Sequence, residues 1–413
     1  MLSTKETFRA LQYKNYRLFF IGQLCSLVGT WMQQVAMGWL VYRMTNSAFL
    51  LGIVAFCSQL PMLVMGLWGG VVADRFPKRR VIVITQALSA LQAALLAVLT
   101  IAGTIEVWHI IALSLFLGFI NAVDMPARQS FIVELVDRKD LSNAIALNST
   151  IFNSARLIGP SIAGVTVAVY GEGICFVINS LSFMVVIGCL LVMQLAARPA
   201  AGPKGSYLER LKEGVRYAWH TPRIRALLIL VAMSSIAGSP YTVLMPVFAG
   251  EILHGGPALL GYLMGAIGMG ALAGALALAH RNAQDGMDRN VWKAASAFGV
   301  VLILFSGSTN VWLSLLILPL AGFSLITQLV STNTYLQSTV PDELRGRVMS
   351  LYSMMFVGLT PIGSLFAGVA SHRIGVQWTV AICGAVCLAG GLVLRSGRVA
   401  ETSESVEQER SAE

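Results

Sequence analysis

Asn148, Phe152 and Arg156 stand four residues apart within an apolar stretch running from 143 to 169. Positions i, i+4 and i+8 share one face of a helix, so an amide, an aromatic ring and a cation are offered to a common space. Arg156 is the sole charged residue deep inside any apolar stretch of the chain. It lies about thirteen residues into its segment, roughly 20 Å along a helix axis. Placing a guanidinium at that depth costs about 2.5–3.5 kcal/mol on insertion scales, and such residues face a polar cavity. Arg156 is therefore expected to bind an anionic or acceptor-rich group of a substrate.

Uncharged polar residues recur nearby. Gly22, Ser26, Thr30 and Gln33 follow helical spacing, with Gln34 adjacent, and Gln59, Gln86, Gln92 and Asn179 add amides in other apolar stretches. They divide between interhelical hydrogen bonds, worth about 0.6–2 kcal/mol each, and the lining of a cavity; Thr30, Gln33, Gln34 and Gln59 are assigned to the lining. No Asp or Glu occupies the centre of any stretch. The carboxylates closest to one are Asp124, four residues before Arg128, and Glu106, three before His109. With Trp108 between them, Glu106 and His109 read as an interfacial anchor. Asp124 and Arg128 have the spacing of an ion pair, although Pro126 between them disturbs that geometry.

The densest charge cluster is Asp74-Arg75-Phe76-Pro77-Lys78-Arg79-Arg80, set between two apolar runs. Its basic residues anchor a loop beside anionic headgroups. The leading aspartate serves no such purpose. Asp74, four residues after Gly70, is expected to pair with Arg128 or to cap a helix N-terminus, and so to act as a conformational switch.

These residues need elements to hold them. The chain has 413 residues, 56% hydrophobic and 12% charged, against about 25% charged in soluble domains. Apolar runs long enough to span a bilayer recur at approximately 17–42, 48–73, 81–102, 107–124, 143–169, 174–195, 225–248, 258–279, 291–308, 311–331, 347–370 and 377–395, which defines an all-α membrane protein. The net charge of +9 is not a nucleic-acid signature here. All but three of the 29 Lys and Arg residues fall in alternate connections or the two tails; the exceptions are Arg43, Arg373 and Arg156. The positive-inside rule then places both termini in the cytoplasm. The first run is too long for a cleavable signal and reads as a retained helix.

A polar stretch divides the runs into two sets of six: an N-terminal bundle (1–195), a linker with an amphipathic helix (196–224), a C-terminal bundle (225–395) and a polar tail (396–413) expected to be disordered. Leu208, Leu211, Val215 and Trp219 share one face of the linker helix, suiting it to a membrane surface. The halves repeat. Leu50-Leu51-Gly52 matches Leu259-Leu260-Gly261, and Val136, Gly159, Gly164 and Gly171 match Val340, Gly363, Gly368 and Gly375 at a constant offset. Two parallel six-helix repeats are a transporter architecture with its site near the midplane. The six cysteines all lie in apolar runs, without the further ligands a metal needs. Clustered carboxylates, a His-Glu-x-x-His helix and a Walker A loop are all missing from the sequence, which argues against a membrane enzyme or an ATPase.

Gly70-Val-Val-Ala-Asp74-Arg75-x-x-Lys78-Arg79 resembles the loop signature of the major facilitator superfamily, with Pro77 where that signature usually has glycine. The counterpart near Ala279-His280-Arg281 lacks the aspartate. Gly159-Pro160 followed by Gly164 is similar to the superfamily's antiporter motif on helix 5, without its upstream glycines. The stretches GTWMQQVAMGWLVYRMTNSAFLLG, NAVDMPARQSFIVELV and NSARLIGPSIAG resemble the enterobactin-exporter-like branch, over a likeness reaching from Tyr13 to Arg395. The resemblance implies a monomeric plasma-membrane protein that exports a small organic molecule, siderophore- or drug-like, by alternating access and proton antiport. It implies no cofactor beyond the proton gradient. An importer or lipid transporter on the same scaffold is the alternative, and a membrane sensor a more distant one.

Overall fold

The computed structural model describes residues 8–194, 207–279 and 287–412. Residues 196–206 of the linker and His280–Arg281 of the degraded second loop lie outside them, as do the side chains of Asp74, Leu208 and Leu211. Every regular element among the described residues is helical. The helices are α1 (Lys14–Thr45), α2 (Ala48–Arg75), α3 (Lys78–Ile101), α4 (Val107–Leu135), α5 (Leu141–Tyr170), α6 (Glu172–Val192), α7 (Tyr207–His220), α8 (Pro222–Met233), α9 (Pro257–Ala279), α10 (Met287–Ser306), α11 (Val311–Thr339), α12 (Asp342–Ser353), α13 (Thr360–Ile374) and α14 (Val376–Ala412).

Among the described residues, nine segments are long and apolar enough to cross a membrane. The helices α1, α5 and α10 are also long but fall outside that set. Each carries the polar residues that lower its hydropathy, including Gln23, Gln33 and Gln34 on α1 and Asn148, Asn153 and Arg156 on α5.

Local chemistry sets the boundaries. Asn46 ends α1 in the left-handed conformation (φ 47°), and the Ser47 hydroxyl caps α2 by accepting from the Leu50 N–H. Glu106 and His109 form a reciprocal capping box at the start of α4, while Trp108 Nε1 donates to Glu106 at 2.7 Å. In α4 the helix continues to Leu135, well past the apolar run ending at 124. Its extra turns are held by Phe131, Ile132 and Leu135, buried against Tyr16, Phe19 and Ile82. Proline acts in two ways. Pro61, Pro126, Pro160 and Pro319 sit inside continuous helices. Pro240, Pro246 and Pro361 instead adjoin wide π-type turns at Ser234–Gly238, Phe248–Ile252 and Met354–Gly358, where the missing N–H leaves the ladder to re-form around it. The backbone of α14 continues to Ala412; Glu, Gln, Arg and Ala are favourable helix formers.

The chain forms two compact units, one of residues 1–205 with 243–268, the other of 206–242 with 269–413. Residues 243–268 thus cluster with the first set of helices, across the boundary read at 225. In the first unit, glycines permit the closest approaches. A Cβ added at Gly69 would collide with the Ala122 carbonyl, and one at Gly118 would lie 2.7 Å from Ser58 O, so α2 and α4 meet backbone to backbone. In the second unit, α7 packs by Gly214 and Ala218 while Val215 and Trp219 stay exposed, as suits a helix on a membrane surface. Glu213 pairs there with Arg347.

The internal repeat is visible in geometry. Gly171 and Gly375 end α5 and α13 with φ of 81° and 84°. Val136 and Val340 are the extended residues after α4 and α11. Gly159 faces Val28 and Trp31 of α1, and Gly363 faces Ile236 in the turn after α8, so each glycine admits the first helix of its own half.

Candidate substrate-binding face and buried ion pair

Arg156 and Phe152 converge on Trp31. The Phe152 ring meets Trp31 edge-on at 6.0 Å, and the Arg156 guanidinium lies 5.8 Å from the Trp31 ring centroid, within cation–π range. Gly159 makes this possible, because a Cβ there would stand 2.6 Å from Trp31 Cβ. Arg156 and Asn148 are half-buried and Phe152 is 45% exposed. Thr30 and Gln34, flanking Trp31 on α1, are exposed. The assembly is therefore an open aromatic and cationic face edged by a hydroxyl and amides. Trp31 was not singled out in the sequence; the signal was its place in Thr-Trp-Met-Gln-Gln, next to the exposed polar positions.

Gln33 belongs elsewhere. It is 3% exposed and donates to Gln92 Oε1 at 3.1 Å, while accepting from Asn179 Nδ2 at 2.8 Å. Gln92 passes its own N–H to the Leu113 carbonyl, and Ser182 donates to Asn179. Gly29 leaves room for Asn179 and Ser182, each 2.6 Å from an added Cβ. This network joins α1, α3, α4 and α6 and gives the Gln33 amide both a donor and an acceptor partner. The expectation that Gln33 lines the cavity is corrected: one residue of helical rotation turns Gln34 outward and Gln33 inward. Gln59 is half-buried on α2, apart from the Arg156 cluster.

In the last third of α4, Arg128 Nε lies 2.5 Å from Asp124 Oδ2, and the carboxylate side chain is 2% exposed. Thr85 Oγ1 and Gln86 Nε2 donate to Asp124 Oδ1 at 2.5 and 3.1 Å, and Arg128 donates to Gln23 Oε1 at 3.0 Å. The pair is thereby tied to α3 and α1. Pro126 does not disturb it, since α4 runs through that residue unbroken. Arg128 has its carboxylate on its own helix, and the side chain of Asp74 lies outside the described residues.

The loop's cations also have partners within the first unit. Lys78 pairs with Glu134 at 2.5 Å, and Arg79 donates to the Leu191 carbonyl at 2.8 Å; Arg75 is exposed. A Cβ added at Gly70 meets nothing within 4 Å. The close approach on this helix is made by its neighbour Gly69, whose added Cβ would collide with the Ala122 carbonyl. Further along α5, Gly164 packs on α9, where its added Cβ would lie 2.7 Å from Gly261 Cα, and a Cβ added at Gly261 would in turn lie 2.7 Å from the carbonyl of Pro160 in the same motif. A Cβ at Gly268 would approach the Arg156 carbonyl to 2.7 Å. The six cysteines are free, and among the described residues no cluster of His, Cys, Asp or Glu could hold a metal ion.

A chain whose described elements are all helical, with repeated halves and polar residues held inside apolar helices, is a multi-pass membrane transporter of the major facilitator type. Solved structures share the fold: a POT family transporter in complex with a thioalcohol-conjugated peptide has a TM-score of 0.75 at 12% identity, covering 92% of this chain and 95% of that one. The nucleoside transporter NupG has 0.71 at 14%, covering 92% and 98%. The chain belongs to the transmembrane secretion effector family, whose model matches residues 5–413. It is similar to the staphyloferrin A transporter of Staphylococcus aureus, 29% identical over 89% of this chain and 92% of that protein. It is also similar to the multidrug efflux pump Tap of Mycolicibacterium fortuitum (27%; 88% and 90%) and the enterobactin exporter EntS of Shigella boydii (26%; 86% and 84%). It is a transporter, not an enzyme.

Proposed function

We propose that the chain exports a small organic molecule, siderophore- or drug-like, across the plasma membrane by alternating access, as a monomer crossing twelve times with both termini in the cytoplasm. The observation that carries this reading is the Trp31–Phe152–Arg156 face. A guanidinium held at mid-membrane depth beside two rings favours an acidic, aromatic or acceptor-rich solute. The relatives named for siderophore and drug export support the direction and the substrate class. The distribution of Lys and Arg supports the orientation.

Proton antiport is the coupling in this reading. Asp124 is its candidate carboxylate, buried yet bonded to Thr85, Gln86 and Arg128, so a change in its protonation would be felt on α1, α3 and α4 together. Gly70, Asp74, Arg75, Lys78 and Arg79 form the switch loop beside it, and Gly159, Pro160 and Gly164 the pliable part of α5. The test is uptake into inside-out vesicles with an imposed pH gradient, screened over siderophores and amphipathic drugs. Accumulation abolished by a protonophore supports the proposal. Uptake indifferent to both gradient and protonophore contradicts antiport, and no accumulation of any of these solutes contradicts export of this substrate class.

A further inference from the structure

The second unit contains a cavity of about 350 Å³ among α9, α10 and α11, remote in sequence from Arg156 and from the Asp124–Arg128 pair. Ala277, Leu278, Ala294, Ala297 and Phe323 give it apolar walls. Asn290 and Lys293 stand at one end, and Ser324 and Thr327 lie deeper. Phe323, Ala297 and Lys293 are exposed, so the cavity opens along the side of the helices. The Thr327 hydroxyl is buried without a hydrogen-bond partner, against Gly274. A serine or threonine within a helix commonly returns its proton to the carbonyl one turn back, and Thr327 does not.

Charge identifies the occupant. Lys293 Nζ lies 5.8 Å from the Trp292 ring centroid, and Arg395 approaches the same ring at 5.3 Å. Neither cation is paired with a described carboxylate. Trp292 with two cations marks the level of the headgroups. Thr327 stands twelve residues before the end of α11, roughly 18 Å along the helix, at the depth of acyl chains. An opening that is cationic at headgroup level and apolar below matches an anionic phospholipid: phosphate toward Lys293 and Asn290, and acyl carbons along Phe323 and the alanines.

We propose that this cavity is a site for one anionic phospholipid of the cytoplasmic leaflet, consistent with the general habit of basic pockets between membrane helices. The choice of leaflet rests on the orientation proposed above; the choice of ligand does not.

The test is native mass spectrometry of the full chain in detergent, titrated with palmitoyl-oleoyl phosphatidylglycerol or with the phosphatidylcholine of the same chains. The expected result is one retained phosphatidylglycerol, bound about fivefold more tightly than phosphatidylcholine, as one cation near the headgroup supplies. Lys293→Gln should erase that preference, and Ala297→Phe, which fills the cavity from its open side, should abolish retention of both lipids. Equal affinity for the two lipids, an unchanged preference in Lys293→Gln, or displacement by millimolar inorganic phosphate would each overturn the proposal. Orientation is read separately, by labelling Arg289→Cys from either side in whole cells. Labelling from outside would refute the orientation and the leaflet while leaving the lipid measurement to stand or fall alone.

Discussion

Arg128 and Asp124 are joined at 2.5 Å one turn apart on α4, and each is also bonded to a different neighbouring helix. Gln23 of α1 accepts from the guanidinium, while Thr85 and Gln86 of α3 donate to the carboxylate. Removing one member of a buried pair strands the other, whereas removing both can be nearly neutral. The first prediction follows from that asymmetry.

Arg128→Gln leaves Asp124 buried without its cation and should cost about 3–5 kcal/mol, lowering the thermal midpoint of the detergent-purified protein. Asp124→Asn should cost less, because Thr85 and Gln86 can still donate to the amide oxygen. The double variant should be more stable than Arg128→Gln alone. Fluorescence-detected size-exclusion after heating reads all three; strictly additive losses would show that the pair is not coupled.

Gln33→Leu and Gln34→Leu should separate cleanly. The first breaks a buried network and strands Gln92 and Asn179, at about 1–3 kcal/mol, with substrate affinity retained in the protein that folds. The second touches only an exposed side chain, so it should leave stability within about 0.5 kcal/mol and change the KM for export. Reversed effects would place Gln33, not Gln34, on the substrate face.

Gly69→Ala should fold poorly, since the new methyl would enter the Ala122 carbonyl. Gly70→Ala meets open space in α2 and should be neutral or stabilising by up to about 1 kcal/mol, through helix propensity alone. Expression and thermal midpoint decide it. A transport defect in well-folded Gly70→Ala would show that this glycine is needed in another conformation.

Trp31→Ala and Phe152→Ala should each raise KM with a smaller effect on the maximal rate, because both rings shape the face on which Arg156 lies. Arg156→Lys should resemble them: it keeps the charge and loses the planar stack on Trp31. Wild-type KM in Trp31→Ala would remove the indole from the binding face.

Much of the helical plan is legible in the sequence because apolar length and charge placement are one-dimensional signals. The overrun of α4 to Leu135 was not, since an amphipathic extension looks polar until Tyr16 and Phe19 are known to cover it. Polar residues inside apolar runs announce themselves, but their partners do not. Gln33 and Gln34 are adjacent letters whose fates differ by about 100° of helical rotation, and only the packing of α1 on α3 and α6 assigns them. Arg128 could be read toward Asp74 or Asp124 from spacing, and the structure gives it the nearer carboxylate. Trp31 was hidden for a different reason: a tryptophan in an apolar run is ordinary until Gly159 and Arg156 are seen beside it.

The most direct test of the account is substrate accumulation by Arg156→Gln in inside-out vesicles, normalised to folded protein and run beside the wild type with an exported siderophore or drug. The account expects normal folding and at least a tenfold rise in KM, roughly 1.4 kcal/mol of lost binding. Transport by Arg156→Gln with wild-type KM and rate would contradict it.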